Sequence, residues 1–169
     1  MVFCVRRTPK TVFDNPTGRQ FTAGTIKKLA GLTYRQLNDW ESKGALSSGR
    51  ERTGWRKFSA VELVTLLVCS ELRRQFGVSL ESLRWISSRL LSTRAADIGR
   101  TCGPDALDLW LVTNLQDKLA IEPSGAIPRL LQTGFVARQR ASGCILLNLD
   151  FVRTKLVSAK QRSGSKERR

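Results

Sequence analysis

Apolar residues recur at helical spacing in the first half of this chain and in short, compact runs in the second. Ile26, Leu29 and Ala30 share one face of a stretch that Thr22 or Thr25 can cap and that Gly31 breaks. Leu37 and Trp40, three apart, mark a second helix from Thr33 to about Lys43, with Gly44 as its left-handed stop. Two short helices parted by a glycine have the outline of a helix-turn-helix.

From Leu46 to Phe58, serines, glycines and bases leave few apolar anchors. Trp55 and Phe58 are spaced three apart rather than two, so the segment is no alternating strand; a two-stranded wing with WRKF as one return strand fits it. Ser59 and Glu62 then form the S-x-x-E capping box of a third helix that runs to about Gln75. Val61, Val64, Val68 and Leu72 make its apolar stripe, with Leu67 beside them. Gly77 ends that helix, and Ser79 opens a fourth, SLESLRWISSRLL, with Leu80, Leu83 and Ile86 facing inward.

The pattern changes after residue 104. LWLVT (109–113) predicts a strand, 114–117 a turn and KLAIE (118–122) the partner strand. A short helix begins near Ser124, includes Pro128–Gln132 and stops at Gly134. Phe135–Leu149 holds one or two strands around the Ser142-Gly143 turn, and Asp150 is the expected cap of a last helix, FVRTKLVSAK. Gly99, Gly103 and Pro104 make 93–104 a linker. The chain thus divides into an arm (1–18), a helical unit (19–92), the linker, a small α+β unit (105–158) and a polar basic tail (159–169).

Charge sharpens this division. The chain has 169 residues, is 41% hydrophobic, enough for a packed core, and carries a net charge of +15. Bases exceed acids thirteen to six over 19–92 and seven to one over 153–169, whereas six face six over 93–152. One part is therefore built to meet a polyanion and another is not, with nucleic acid the first candidate. An anionic membrane surface ranks below it, because the bases do not line one face of an otherwise apolar helix. A solvated basic surface without a specific partner is the bland alternative. With no run of about 18 apolar residues and no signal-like N-terminus, the expectation is a cytoplasmic protein with no membrane partner.

The residue inventory narrows the chemistry. There is no histidine, which removes Ser/His/Asp and Cys/His catalysis and imidazole zinc sites. No GxxxxGK[ST] loop occurs, and the basic half holds no paired carboxylates for a metal. Cys4, Cys69, Cys102 and Cys144 form no CxxC pair; Cys69 and Cys144 read as small buried hydrophobes. The chain is expected to be a non-enzyme without a cofactor.

The segments AGLTYRQLNDWESKGAL, GWRKFS and ELRRQFGVSLESLRWI follow one another with short gaps between Thr22 and Leu90. In that order they resemble the winged helix-turn-helix of MerR-type transcriptional regulators: helix, turn, helix, wing, helix, helix. GWRKFS stands where that family has glycine, aromatic, arginine, any residue, aromatic. The form TYRQL..W resembles a subgroup with a small α/β domain after the winged helix in place of a long coiled coil. The resemblance implies a mainly α winged-helix unit plus a small α+β domain. It also implies a dimer that binds and distorts near-palindromic promoter DNA, with RNA polymerase or another regulatory protein as a further partner. An excisionase-like architectural protein, which bends DNA for an integrase, is the alternative function.

The second helix of such a motif enters the major groove, so Tyr34, Arg35 and Asn38 are the candidate base-reading residues, Leu37 and Trp40 being turned to the core. Tyr34 could instead pack across the corner between the two helices. The family commonly has an arginine and a tyrosine where this chain has Asn38 and Asp39; Asp39 can pair with Lys43 at i+4 or shift how the helix docks. Arg50, Arg52, Arg56 and Lys57 are expected on the wing, over phosphates. Phe58 pins the wing to the third helix, and Trp55 either pins it too or rests on the sugar-phosphate backbone. Trp110, Leu111 and Phe135 are read as dimer-interface anchors or, equally, as core.

Overall fold

The computed structural model describes residues 21–45, 56–92, 108–115, 118–132 and 144–156. The arm, the linker and the tail expected from the sequence lie outside them, as do Arg50, Arg52, Trp55, Phe135, Cys4 and Cys102.

The chain enters through a two-residue strand β1 (Phe21–Thr22) and passes directly into α1 (Ala23–Ala30). Thr22 is the N-cap, its hydroxyl accepting the Thr25 N–H, and Gly31 at φ 69° closes the helix. Helix α2 (Tyr34–Ser42) starts from a capping box that the TYRQ sequence encodes. The Gln36 N–H donates to Thr33 Oγ1 at 3.2 Å, and the Thr33 N–H donates to Gln36 Oε1 at 2.8 Å. Gly44 follows at φ 68°.

Strand β2 (Lys57–Phe58) is the described part of the segment expected to form a wing. It pairs antiparallel with β1, Phe21 opposite Phe58 and Thr22 opposite Lys57. Nothing local to Phe21 signals a strand, because a two-residue strand has no periodicity to read. Ser59 then caps α3 (Ala60–Phe76) with Glu62 completing the box, and Gly77 at φ 63° ends it. Helix α4 (Leu80–Ser92) begins beyond Ser79, whose Oγ accepts the Ser82 N–H at 3.2 Å.

The second half forms an antiparallel sheet in the order β4-β3-β5, with β3 (Leu109–Thr113) central, β4 (Leu119–Pro123) and β5 (Ile145–Asn148). A 3-10 turn, Ser124–Ala126, and a helical turn, Ile127–Leu130, follow β4. Residues 150–156 are helical. Asp150 is the first residue of that segment rather than its cap; its N–H donates to Asn148 Oδ1 at 2.7 Å, so Asn148 ties down the helix start.

One hydrophobic cluster spans both halves. Ile26, Leu37, Trp40 and Phe58 belong to it with the α3 and α4 leucines, and so do Leu111, Leu147, Leu149 and Val152. Helix α3 is its axis: every residue from Ala60 to Leu72 is buried except Glu62, including Thr65, Ser70 and Glu71. The single apolar stripe expected from sequence understates this, because a stripe describes a surface helix and α3 is covered all round. Leu111 is fully buried, so of the two roles open to it the core one holds. Trp110 is half-buried and its Nε1–H donates to Asp108 Oδ1 at 2.9 Å. No helix among the described residues is long and apolar enough to cross a membrane.

Candidate nucleic-acid interface

Helix α2 separates its side chains cleanly. Leu37 and Trp40 are buried with Leu32 and Ala45, which fixes the inner face. Tyr34, Arg35 and Asn38, at i, i+1 and i+4, stand exposed on the outer one. The structure therefore brings together all three residues that the sequence nominated on this helix.

Tyr34 is 52% exposed, yet it is not free of α1. Lys27 Nζ lies 5.4 Å from its ring centroid. A Cβ placed on Gly24 would come within 3.6 Å of its hydroxyl. The ring thus bridges the helix-helix corner and still presents a face to solvent, so packing and contact are not alternatives here. Lys27 and Lys28 form the basic last turn of α1, both exposed beside this corner. Helical periodicity in the sequence marked only the apolar face of α1; the approach of Lys27 to Tyr34 depends on how the two helices meet.

Asp39 pairs with Lys43, Nζ to Oδ1 at 2.8 Å, as their i,i+4 spacing predicts. Its charge is thereby compensated within α2. Gly44, just beyond, carries the side chain of Arg84 from α4: a Cβ at this position would meet Arg84 Nε at 3.4 Å.

Of the bases expected on a wing, Lys57 is exposed on β2, and Phe58, its neighbour, is buried in the core at 2% exposure. Arg56 has a partner that the sequence did not reveal. Its Nη2 donates to Glu41 Oε2 at the end of α2, and the two side chains are only 20% and 17% exposed. No local spacing relates residues fifteen positions apart, so only the fold could bring them together.

Residues 21–90 match the family described as MerR HTH family regulatory protein. This segment is a MerR-type helix-turn-helix domain. The matched span begins at β1 and ends in the last turn of α4, so the MerR-type domain comprises both short strands and all four helices of the first half. Its match rests on the same stretch that TYRQLNDW, GWRKFS and SLESLRWI mark in the sequence. No curated protein matches the chain.

Proposed function

We propose that the chain is a sequence-specific, double-stranded-DNA-binding transcriptional regulator, with α2 in the major groove and the basic segment before α3 on flanking phosphates. The observation that supports this best is the exposed trio Tyr34, Arg35 and Asn38 on the outer face of a capped helix within the MerR-type domain. Arg35 has the fork that pairs with guanine O6 and N7, and Asn38 the amide that pairs with adenine N6 and N7. Lys57 is the phosphate ligand on β2, joined by Arg50, Arg52 and Trp55, which lie outside the described residues. The winged form of the domain belongs to this reading.

A homodimer fits the expected two-fold symmetry of the target, each copy placing one α2 in successive major grooves. The sheet-containing second half, 105–158, nearly neutral with six bases to five acids, is assigned to dimerisation, effector sensing or contact with RNA polymerase or another regulatory protein. The protein acts in the cytoplasm, at the nucleoid, as a binding module and not as an enzyme. No observation favours the excisionase-like alternative.

Selection of genomic DNA fragments with the purified full chain tests the proposal. Enrichment of near-palindromic sites at promoters is the expected outcome. Recovery of no duplex fragment above a non-binding control would overturn it.

A further inference from the structure

Arg56 and Lys57 are adjacent bases at the mouth of the same segment, yet they are held differently. Lys57 is exposed, whereas four-fifths of the Arg56 side chain is covered and its guanidinium is spent on Glu41. A carboxylate in contact with a guanidinium cancels its charge at the range of a phosphate, so Arg56 gains little by approaching the backbone.

What the pair does have is position. Glu41 directly follows Trp40, an anchor buried at 4% exposure, and Arg56 sits two residues before Phe58, another such anchor. Strand β2 is held from its other side by β1. The pair therefore joins the last turn of α2 to the residue that leads into β2, and so fixes Lys57 on β2 relative to the outer face of α2. Groups already held in place lose less entropy when they meet a ligand. Both members being mostly covered, the contact is screened by salt less than a surface ion pair.

We infer that Arg56 is a positioning residue that acts through Glu41: the pair sets β2, and with it Lys57, relative to the groove-facing helix, and Arg56 is not itself a phosphate ligand. This rests on the proposed DNA binding and assigns one residue of that site a different task from its neighbour.

The two roles predict opposite signs for a change at Glu41. If Arg56 were a phosphate ligand, Glu41→Ala would unmask a cation and tighten binding. If the pair positions β2, Glu41→Ala weakens binding as Arg56→Ala does, and the double variant is no weaker than either single one, within about twofold, the range expected of residues acting as one unit. Binding of the full chain to its selected duplex is measured by fluorescence anisotropy from low to high salt, with a circular dichroism melt for each variant. Arg56→Ala is expected to keep the log-log salt slope of the parent, whereas Lys57→Ala lowers it by about 0.9, one phosphate contact. Should Glu41→Ala not fold, Glu41→Gln, which keeps an acceptor for the guanidinium but removes the charge, is read instead: unchanged or weaker binding agrees with the positioning role, and tighter binding overturns it. Tighter binding by the Glu41 variant, or a slope lowered by about 0.9 in Arg56→Ala, overturns the inference while leaving DNA binding intact. A parent chain that binds no duplex overturns the functional proposal and this inference with it.

Discussion

Phe21 and Phe58 face one another across the β1–β2 pair, with Phe58 buried and Phe21 packed half-covered against the same core. This pairing ties the entrance of α1 to the entrance of α3. Deleting the Phe58 ring should cost about 3–5 kcal/mol, the usual toll of emptying an aromatic site in a core, and Phe58→Leu clearly less. Urea denaturation followed by tryptophan fluorescence measures both; a loss under about 1 kcal/mol for Phe58→Ala would show that β2 does not hold the core.

Two capping boxes should separate stability from recognition. Ser59→Ala removes the hydroxyl that accepts the Glu62 N–H at 3.2 Å, and should cost about 1 kcal/mol of global stability because α3 is the axis of the core. Thr33→Ala removes the matching bond on α2. Its comparable cost falls on the helix that carries Tyr34, Arg35 and Asn38, so DNA affinity should fall beyond what the melting curve explains. Equal effects of the two substitutions on affinity would refute this division.

Base-reading and phosphate-holding residues should separate in a selection experiment. Arg35→Ala and Asn38→Ala are expected to relax preference at one or two positions of the site, at about 1–3 kcal/mol of discrimination for each lost bidentate pair. Lys57→Ala should weaken binding to every sequence alike. Sequencing the fragments retained by each variant distinguishes these patterns.

Acid stability should depend on Glu71. Hydrogen bonds from Arg74, chiefly, and Gln75 hold its carboxyl below the usual carboxylate range, with the nearby positive charge of Lys155 adding to the effect and burial opposing it. A carboxylate depressed in the folded state stabilises at pH values above its unfolded pKa, about 4.3, and that contribution disappears as pH falls through the folded value. Melting temperature should therefore fall below about pH 4, and Glu71→Gln should flatten that dependence while lowering stability at neutral pH. Thermal melts across an acid titration provide the comparison.

Cys69 should be silent toward alkylating reagents in the folded protein. Burial in α3 pushes its thiol up to about 12, so almost no thiolate exists near neutrality. Peptide mapping after brief iodoacetamide treatment should find Cys69 unmodified, and modified once urea unfolds the chain. Labelling of the native protein at the rate of a free thiol would contradict its place in the core.

Much of the local architecture is encoded in residues close to one another in the chain. The Ser59 cap, the glycine stops at 31, 44 and 77, and the Asp39–Lys43 pair all act within about one turn, so their spacing points to them, whereas the structure chooses Thr22 over Thr25 as the first cap and makes Thr33 the cap of α2 rather than its first residue. The outward face of α2 follows from the same logic, since Leu37 and Trp40 fix the inward one. The β3–β4 hairpin is legible because its two runs flank a short turn. What the fold alone decides is which distant elements meet: β1 with β2, Lys27 with Tyr34, Arg84 with Gly44, Glu41 with Arg56. It also surrounds α3 on every side, burying Glu71 where a stripe of valines promised only one covered face. In sequence, Arg56, between a tryptophan and a lysine, looks available for phosphate; only the carboxylate that packing delivers to it shows how its charge is engaged.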